Sequence, residues 1–316
     1  GGGWARAVSI GWRVLFGGLQ GLSVGAGIVV SRAVIRDMFR PAEAQQVMSQ
    51  VTIFFFVFSA IAPIIGGWVS VHLGWHAVFW CLTGIGALLW LANWRLLPES
   101  LPAAQRQRLH LRGLLQSYWE LGTSPRFLLL SLASGVPFNG MFLYVLSAPA
   151  FLGDILGLGP TEFFWLFLAT ISGIMGGAWA SGRLAGRIAP KRQIRHGFLI
   201  MLLMALLNLA GNLLAAPALP WALLPIGIFS FGWALMVPVV TLLVLDLYPQ
   251  RRGMASSLQA FIGSSANGLV AGVVAPLVMH SATALATTSL LLMLIGLVAW
   301  VYLHHSWPEI GRHATH

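Results

Sequence analysis

The chain has 316 residues, 58% of them apolar and only 8% charged, with a formal net charge of +10. A water-borne globular domain carries about 25% charged residues, so this composition excludes an ordinary soluble fold. The basic excess does not point to nucleic acid either. Such binders gather charge on a solvated face, whereas these Arg residues stand in short gaps between apolar runs.

Crossing the hydrocarbon core takes about 20 mostly apolar residues, and nine runs qualify, which predicts an all-α polytopic membrane protein. The first, 12–35, is interrupted by Gln20, Ser23, Ser31 and Arg32, and it is rich in glycine. Glycines permit close backbone approach between packed helices, so this span reads as buried rather than lipid-facing. The second, 51–71, contains Ala62-Pro63-Ile64-Ile65-Gly66-Gly67-Trp68, and the third covers 76–97. A long gap follows at 98–125, with an amphipathic segment near 109–121. Six more spans are predicted at 126–150, 162–181, 197–215, 221–245, 254–279 and 283–303. Six spans make one half of a two-bundle transporter. The chain therefore divides into 1–97, the remainder of an N-terminal bundle; 98–125, an inter-bundle loop; 126–304, a six-helix C-terminal bundle; and 305–316, a tail.

Orientation follows from Lys and Arg, which concentrate on the cytoplasmic side of inner-membrane proteins. Alternate gaps hold Arg32, Arg36 and Arg40; Arg95, Arg106, Arg108, Arg112 and Arg126; Arg183, Arg187, Lys191, Arg192 and Arg195; and Arg251 and Arg252, with Arg312 in the tail. The gaps between them hold none. This places the C-terminus in the cytoplasm and the N-terminus of the nine-span chain outside. Three further spans upstream, on the order of 80–90 residues, would complete the first bundle and return that end to the cytoplasm. The chain begins Gly1-Gly2-Gly3-Trp4 without a methionine, in keeping with a truncated start.

Several stretches, in this order, resemble a known family. Ser31-Arg32-Ala33-Val34-Ile35-Arg36-Asp37, Ala62-Pro63-Ile64-Ile65-Gly66-Gly67, Gly74-Trp75-His76-Ala77-Val78-Phe79-Trp80, and Tyr248-Pro249 followed by Gly253-Met254-Ala255-Ser256-Ser257-Leu258 are similar to motifs of the major facilitator superfamily. Within it they resemble the Bcr/CflA-type drug:proton antiporters, over about residues 14–280. The resemblance implies a major facilitator fold with nine of its twelve helices present, 1–97 supplying the fourth to sixth. It implies a secondary active efflux transporter in the bacterial inner membrane, surrounded by lipid and working as a monomer. Its expected substrates are small hydrophobic drugs of the bicyclomycin, amphenicol or sulfonamide kind, exchanged for protons. The only expected energy source is the proton gradient, with no cofactor. A metabolite transporter on the same fold and a non-transporting remnant of a truncated gene are the alternatives.

Two departures from the family stand out. Gln20-Gly21 is present, but the Arg that the family sets three residues earlier is Gly17. Arg13 lies one turn further back and shares the same helix face, either doing the missing electrostatic work or serving as an interfacial anchor. Gly182-Arg183-Leu184-Ala185-Gly186-Arg187 resembles the second copy of the superfamily's cytoplasmic loop motif, with Gly186 in the usual acidic position. Arg183 and Arg187 are accordingly gating candidates, as are Pro63, Gly66 and Gly67, which resemble the antiporter motif of the fifth helix. Pro63 removes a backbone donor and kinks its helix; a merely packed kink is the other reading.

Substrate-cavity candidates come from the spans expected to face inward. Phe138, Asn139 and Phe142 share a face of the fourth span, and Gln259, Gly263 and Asn267 form a polar stripe along the eighth. With Gln20 they would present aromatic surface and a few hydrogen-bonding groups, which suits uncharged or amphipathic drugs; interhelical polar packing would leave the same stripe. Asp246 lies beside Arg251 and Arg252, where a structural ion pair is expected. The coupling carboxylate is expected in the upstream first helix. No His, Cys and acid cluster has metal-ligand spacing, the single Cys81 sits in an apolar run, and no phosphate loop or hydrolase motif occurs. The chain is not expected to be an enzyme.

Overall fold

The computed structural model describes residues 10–97, 111–159, 162–215 and 217–310, and every regular element among them is helical. In chain order these are α1 (Ile10–Met38), α2 (Pro41–Leu73), α3 (Trp75–Leu96), α4 (Leu111–Gly122), α5 (Pro125–Gly135), α6 (Phe138–Leu146), α7 (Phe164–Leu184), α8 (Pro190–Leu214), α9 (Leu224–Leu247), α10 (Arg252–Leu269) and α11 (Ala282–Ser306). A π-helical stretch, Pro149–Ile155, follows α6, and another, Val270–Val274, carries α10 into a last turn at Ala275–Val278. Among the described residues seven helices are long and apolar enough to cross a membrane, and an eighth span results when α5 and α6 are taken together. The predicted span 12–35 lies within α1, which is long enough but is not among these. Its described side chains over 11–30 are exposed or half-buried rather than buried as expected, since among the described residues chiefly α10 and α2 pack on it.

Helix ends follow local sequence rules. Pro41, Pro125 and Pro190 stand at the first position of α2, α5 and α8, where the missing N–H costs nothing because it would be unpaired anyway. At α11 the Ser281 side chain accepts from the Ala284 N–H at 3.2 Å, a hydroxyl N-cap. The span predicted as one helix over 126–150 is instead broken between Gly135 and Phe138 and bent by 42°. Pro137 cannot donate to the preceding turn, and the helix resumes on a new axis.

The core lies around α9. Of its most apolar 18-residue window 78% is buried, against 28% for α8, because α7 and α8 pack along two of its sides. Glycines make this possible. A Cβ at Gly173 or Gly177 of α7 would collide with the carbonyl oxygens of Gly227 and Phe231 on α9, and one at Gly197 of α8 would stand 2.7 Å from the Gly232 oxygen. Without side chains at these positions the backbones meet directly. Phe127, Tyr144, Phe151 and Phe198 fill the surrounding interior and are fully buried. Of the remaining helices, α2 runs against α7, α10 lies between α1 and α5, and α3 packs on α2.

Candidate functional site

The break between α5 and α6 is repaired by side chains. The Ser134 carbonyl accepts the Trp233 indole N–H at 3.0 Å, and the Gly135 carbonyl accepts the Asn139 side-chain amide at 3.2 Å. The main-chain N–H groups of Asn139 and Gly140 tighten to Val136 and Pro137, each at 3.0 Å. Backbone groups freed at membrane depth must find such partners inside the protein. Trp233 comes from α9, so the bend is fixed against the core.

An aromatic and amide cluster forms at this bend. The Phe138 ring lies 4.8 Å from Trp233 and 5.2 Å from Phe142, centre to centre. From α10, the Gln259 amide donates to the Ser134 hydroxyl at 3.1 Å, and that hydroxyl donates to the Ser131 carbonyl at 3.2 Å. The single Ser134 proton is thereby used, so the amide nitrogen of Gln259 must face it and Oε1 points elsewhere. Gln259 Oε1 and Asn139 Oδ1 are buried and have no hydrogen-bond partner among the described residues. An unmet buried acceptor costs about 1–3 kcal/mol. A molecule bringing an N–H or O–H to these carbonyls, with apolar surface for the rings, meets what the cluster lacks.

On the face that carries the Arg-rich gaps, α1 and α2 close against α7 to α10. Arg36, in the last turn of α1, donates to Asp246 at the end of α9 at 2.5 Å. Its neighbour Asp37 accepts from Arg252 at the start of α10. These side chains are only 15–35% exposed, so salt screens them less than it screens fully exposed pairs. Deeper in, Gln45 of α2 donates to Gln193 Oε1 of α8 at 3.1 Å and to the Ser181 carbonyl of α7 at 2.9 Å. Gln193 in turn donates to the Ser181 hydroxyl and to the Leu235 carbonyl of α9, both at 2.8 Å. One buried uncharged network thus ties four helices. Ser256 of α10 adds a bond to the Val29 carbonyl of α1 at 3.1 Å.

The short helix α4 packs against α5 and α10. Its Glu120 pairs with Arg251 at 2.8 Å, and Tyr118 bonds Ser257 at 2.7 Å. The hydrogen bond from Arg251 holds the Glu120 carboxyl below the usual carboxylate range.

The structure brings together Phe138, Asn139, Phe142 and Gln259 of the predicted cavity residues. Asn267 lies eight residues beyond Gln259, about 12 Å along the helix, and makes no side-chain hydrogen bond to the cluster. The side chains of Arg13, Gln20 and Pro63 lie outside the described residues. The helix α2 runs on through position 63, and at Gly66 and Gly67 no described atom stands within 4 Å of where a Cβ would be. Arg183 lies over the Trp179 ring, 5.2 Å from its centre, and Arg187 is exposed. Neither takes part in the ion pairs that close the face. Gly186 has φ 73°, a left-handed turn that glycine adopts freely, and a Cβ there would press on Ala42 at 3.2 Å. The position that resembles the family's acid is here occupied by a close backbone approach to α2. Asp246 pairs with Arg36 rather than with its sequence neighbours Arg251 and Arg252, because α9 ends at Leu247 and the turn carries both arginines away, to Glu120 and Asp37. Ser134, Trp233, Gln45, Ser181 and Gln193 were not anticipated. Polar side chains at the ends of α2 and α8 were the only hint of the amide network.

A bundle of membrane-length helices, with an aromatic and amide cluster between helices and one face closed by polar contacts, is compatible with a membrane carrier. Residues 2–271 match the Major Facilitator Superfamily, and the chain belongs to that family of transporters. It is 24% identical over 292 residues to the bicyclomycin resistance protein homolog of Haemophilus influenzae, covering 90% of this chain and 71% of that protein. It is 26% identical over 283 residues to multidrug resistance protein D of Escherichia coli, covering 89% and 69%. With the uncharacterized MFS-type transporter YdgK of Bacillus subtilis it shares 28% over 262 residues, 82% of this chain and 64% of the other. The chain therefore spans 64–71% of the length of these relatives. The crystal structure of the human organic anion transporter TETRAN superposes with a TM-score of 0.69 at 21% identity, covering 94% of this chain and 72% of that one. At that identity the likeness concerns the fold.

Proposed function

We propose that this protein exports small, uncharged or amphipathic antimicrobial compounds in exchange for protons across the bacterial inner membrane, as a monomer with its Arg-rich face in the cytoplasm. The observation that carries this reading is the cluster at the α5–α6 bend: three aromatic rings beside two buried amide carbonyls without donors, and no formal charge. Such a site selects apolar bulk bearing a hydrogen-bond donor and disfavours anions. The names of the relatives in Haemophilus influenzae and Escherichia coli, bicyclomycin resistance and multidrug resistance, point to the same substrate class. The orientation rests on the bias of Lys and Arg towards the cytoplasm, and the closed basic face then corresponds to a carrier sealed towards the cytoplasm.

In this reading α1 to α3 form one moving body and α5 to α11 the other, with the contacts of the basic face breaking when the carrier opens inward. Each described Asp and Glu sits at a helix end or between helices, so this chain's described residues contribute binding and closure rather than an intramembrane proton acceptor. The test is drug and dye accumulation in cells producing the chain, with and without an uncoupler. Asn139→Ala and Gln259→Ala should each raise accumulation of donor-bearing compounds several-fold and leave expression unchanged. Parental export of every compound by both variants would refute the site, and export indifferent to the uncoupler would refute proton exchange.

A further inference from the structure

Three sides of the short helix α4 meet different surroundings. Tyr118 and Leu121, three residues apart, share a face that turns to the bundle. The Tyr118 hydroxyl is hydrogen-bonded to Ser257 of α10 at 2.7 Å, and Leu121 is fully buried. Gln116 and Glu120 share a second face. There the Gln116 amide donates to the Glu120 carboxylate at 3.1 Å, Arg251 reaches the same carboxylate, and both side chains of α4 are exposed. Leu115 and Trp119, one turn apart, form the third face and are 65% and 74% exposed. At 3.6 residues per turn the three faces stand roughly 100–150° apart. A helix bordered only by protein and water needs one apolar side, against the protein; a second apolar side calls for a third medium.

Contacts with α10 fix the depth of α4. Glu120 pairs with Arg251 just before α10, Tyr118 bonds Ser257, and a Cβ at Gly122 would stand 3.7 Å from Leu258 Cδ2. Arg251 and Leu258 are seven residues, about 10 Å, apart along the helix. The short helix therefore lies beside the first two turns of α10 rather than beyond its tip, where the apolar span 254–279 begins. Its C-terminal end runs through Thr123 and Ser124 directly into α5, and Ser124 accepts from the Tyr248 hydroxyl, just past α9, at 2.8 Å. Three membrane-embedded helices thus begin or end at the level of α4. With 12 residues it is about 18 Å long, too short to cross the hydrocarbon core. Exposed Arg112, three residues before Leu115, stands between the apolar and the polar face, where its long stem lets the guanidinium reach headgroup phosphates.

We infer that α4 is an interfacial helix whose Leu115–Trp119 face docks on the lipid leaflet of the Arg-rich side, with the bundle at its flank and Gln116 and Glu120 turned to water. An apolar face of this kind sinks about 5–10 Å into the boundary between headgroups and acyl chains. The assignment rests on the Arg-rich helix ends lying at the membrane surface and is independent of the exported substrate.

Spin labels on the full chain in vesicles of phosphatidylethanolamine and phosphatidylglycerol test it. Leu115→Cys, Trp119→Cys and Gln116→Cys, each in a Cys81→Ser background, are labelled singly and exposed to oxygen, which concentrates in the bilayer, or to a nickel chelate, which stays in water. At positions 115 and 119 relaxation by oxygen should exceed relaxation by nickel several-fold, and at 116 the order should reverse. Leu115→Cys keeps Trp119 and Trp119→Cys keeps Leu115, so the two labels report on the face separately. Nickel access at 115 and 119 equal to that at 116 would show a solvated face and overturn the assignment. Labels at 115 and 119 that neither reagent reaches would also overturn it, because the face would then be covered by protein, either another stretch of this chain or a second copy.

Discussion

Arg36 and Asp37 are adjacent on α1, yet each finds its counter-ion on a different helix of the other half of the chain, Asp246 on α9 and Arg252 on α10. A sequence shows such charges at helix ends; it does not show their partners, because 210 and 215 residues separate them. If the pairs hold the basic face shut, Asp37→Arg should cut export by about tenfold, since breaking a half-buried pair costs on the order of 1–2 kcal/mol. The exchange Asp37→Arg with Arg252→Asp should recover most of it. A double exchange as impaired as the single variants would show that charge sign at each position, not pairing, matters. Glu120 makes a different prediction. Arg251 lowers its carboxyl below the ordinary range, so the contact stabilises α4 fully above that ordinary range. The contribution is lost as pH falls through the lowered value. Hydrogen exchange in α4 should therefore quicken in that acidic window, and Glu120→Gln should remove the pH dependence.

Elements were legible by length and by charge alternation, and their facing was not. A helix apolar all round carries no stripe to mark which side is buried, and α9 is such a helix. Glycines were visible but their roles were not. Gly66 and Gly67 resemble a gating seam yet meet no described neighbour, while Gly173 and Gly177, which belong to no motif, form the closest helix contact in the core. The bend at Pro137 could have been expected from proline chemistry. Its repair by Trp233, nearly a hundred residues away in the chain, could not. The glycine seam makes a stability prediction. Gly177→Val drives a branched side chain into the Phe231 carbonyl, and overpacking of this kind costs about 1–3 kcal/mol. Thermal unfolding followed by intrinsic fluorescence should show a lowered midpoint for Gly177→Val. It should show an unchanged or raised one for Gly211→Ala, where no described atom would meet the new Cβ and alanine favours the helix. Equal effects at the two positions would mean that the seam is not what limits stability.

For the whole molecule, closure of the basic face combines two kinds of contact that respond differently to conditions. The ion pairs weaken with salt; the network of Gln45, Ser181 and Gln193 carries no charge and is buried, so neither salt nor pH reaches it directly. A carrier that must open on this face in every cycle has to expose these amides to water, where they find new partners at little net cost. The balance is therefore set locally and is sensitive to a single member. Gln193→Leu removes the acceptor for Gln45 and the donor to Ser181 and Leu235 at once. It removes three buried hydrogen bonds in the closed state only, while Gln45 keeps its bond to the Ser181 carbonyl, a net cost of about 1–3 kcal/mol. That corresponds to a roughly five- to hundredfold shift of population towards the open form. Spin labels at the exposed positions Gln46 on α2 and Arg187 beyond α7, in a Cys81→Ser background, would report the separation of the two faces directly. The parent should give a dominant short distance and Gln193→Leu a second, longer one. High salt should lengthen the distance further in the variant than in the parent, because in the variant the ion pairs are the main polar contacts left. An unchanged distance distribution in Gln193→Leu at both salt concentrations would show that the network packs the helices without governing their opening.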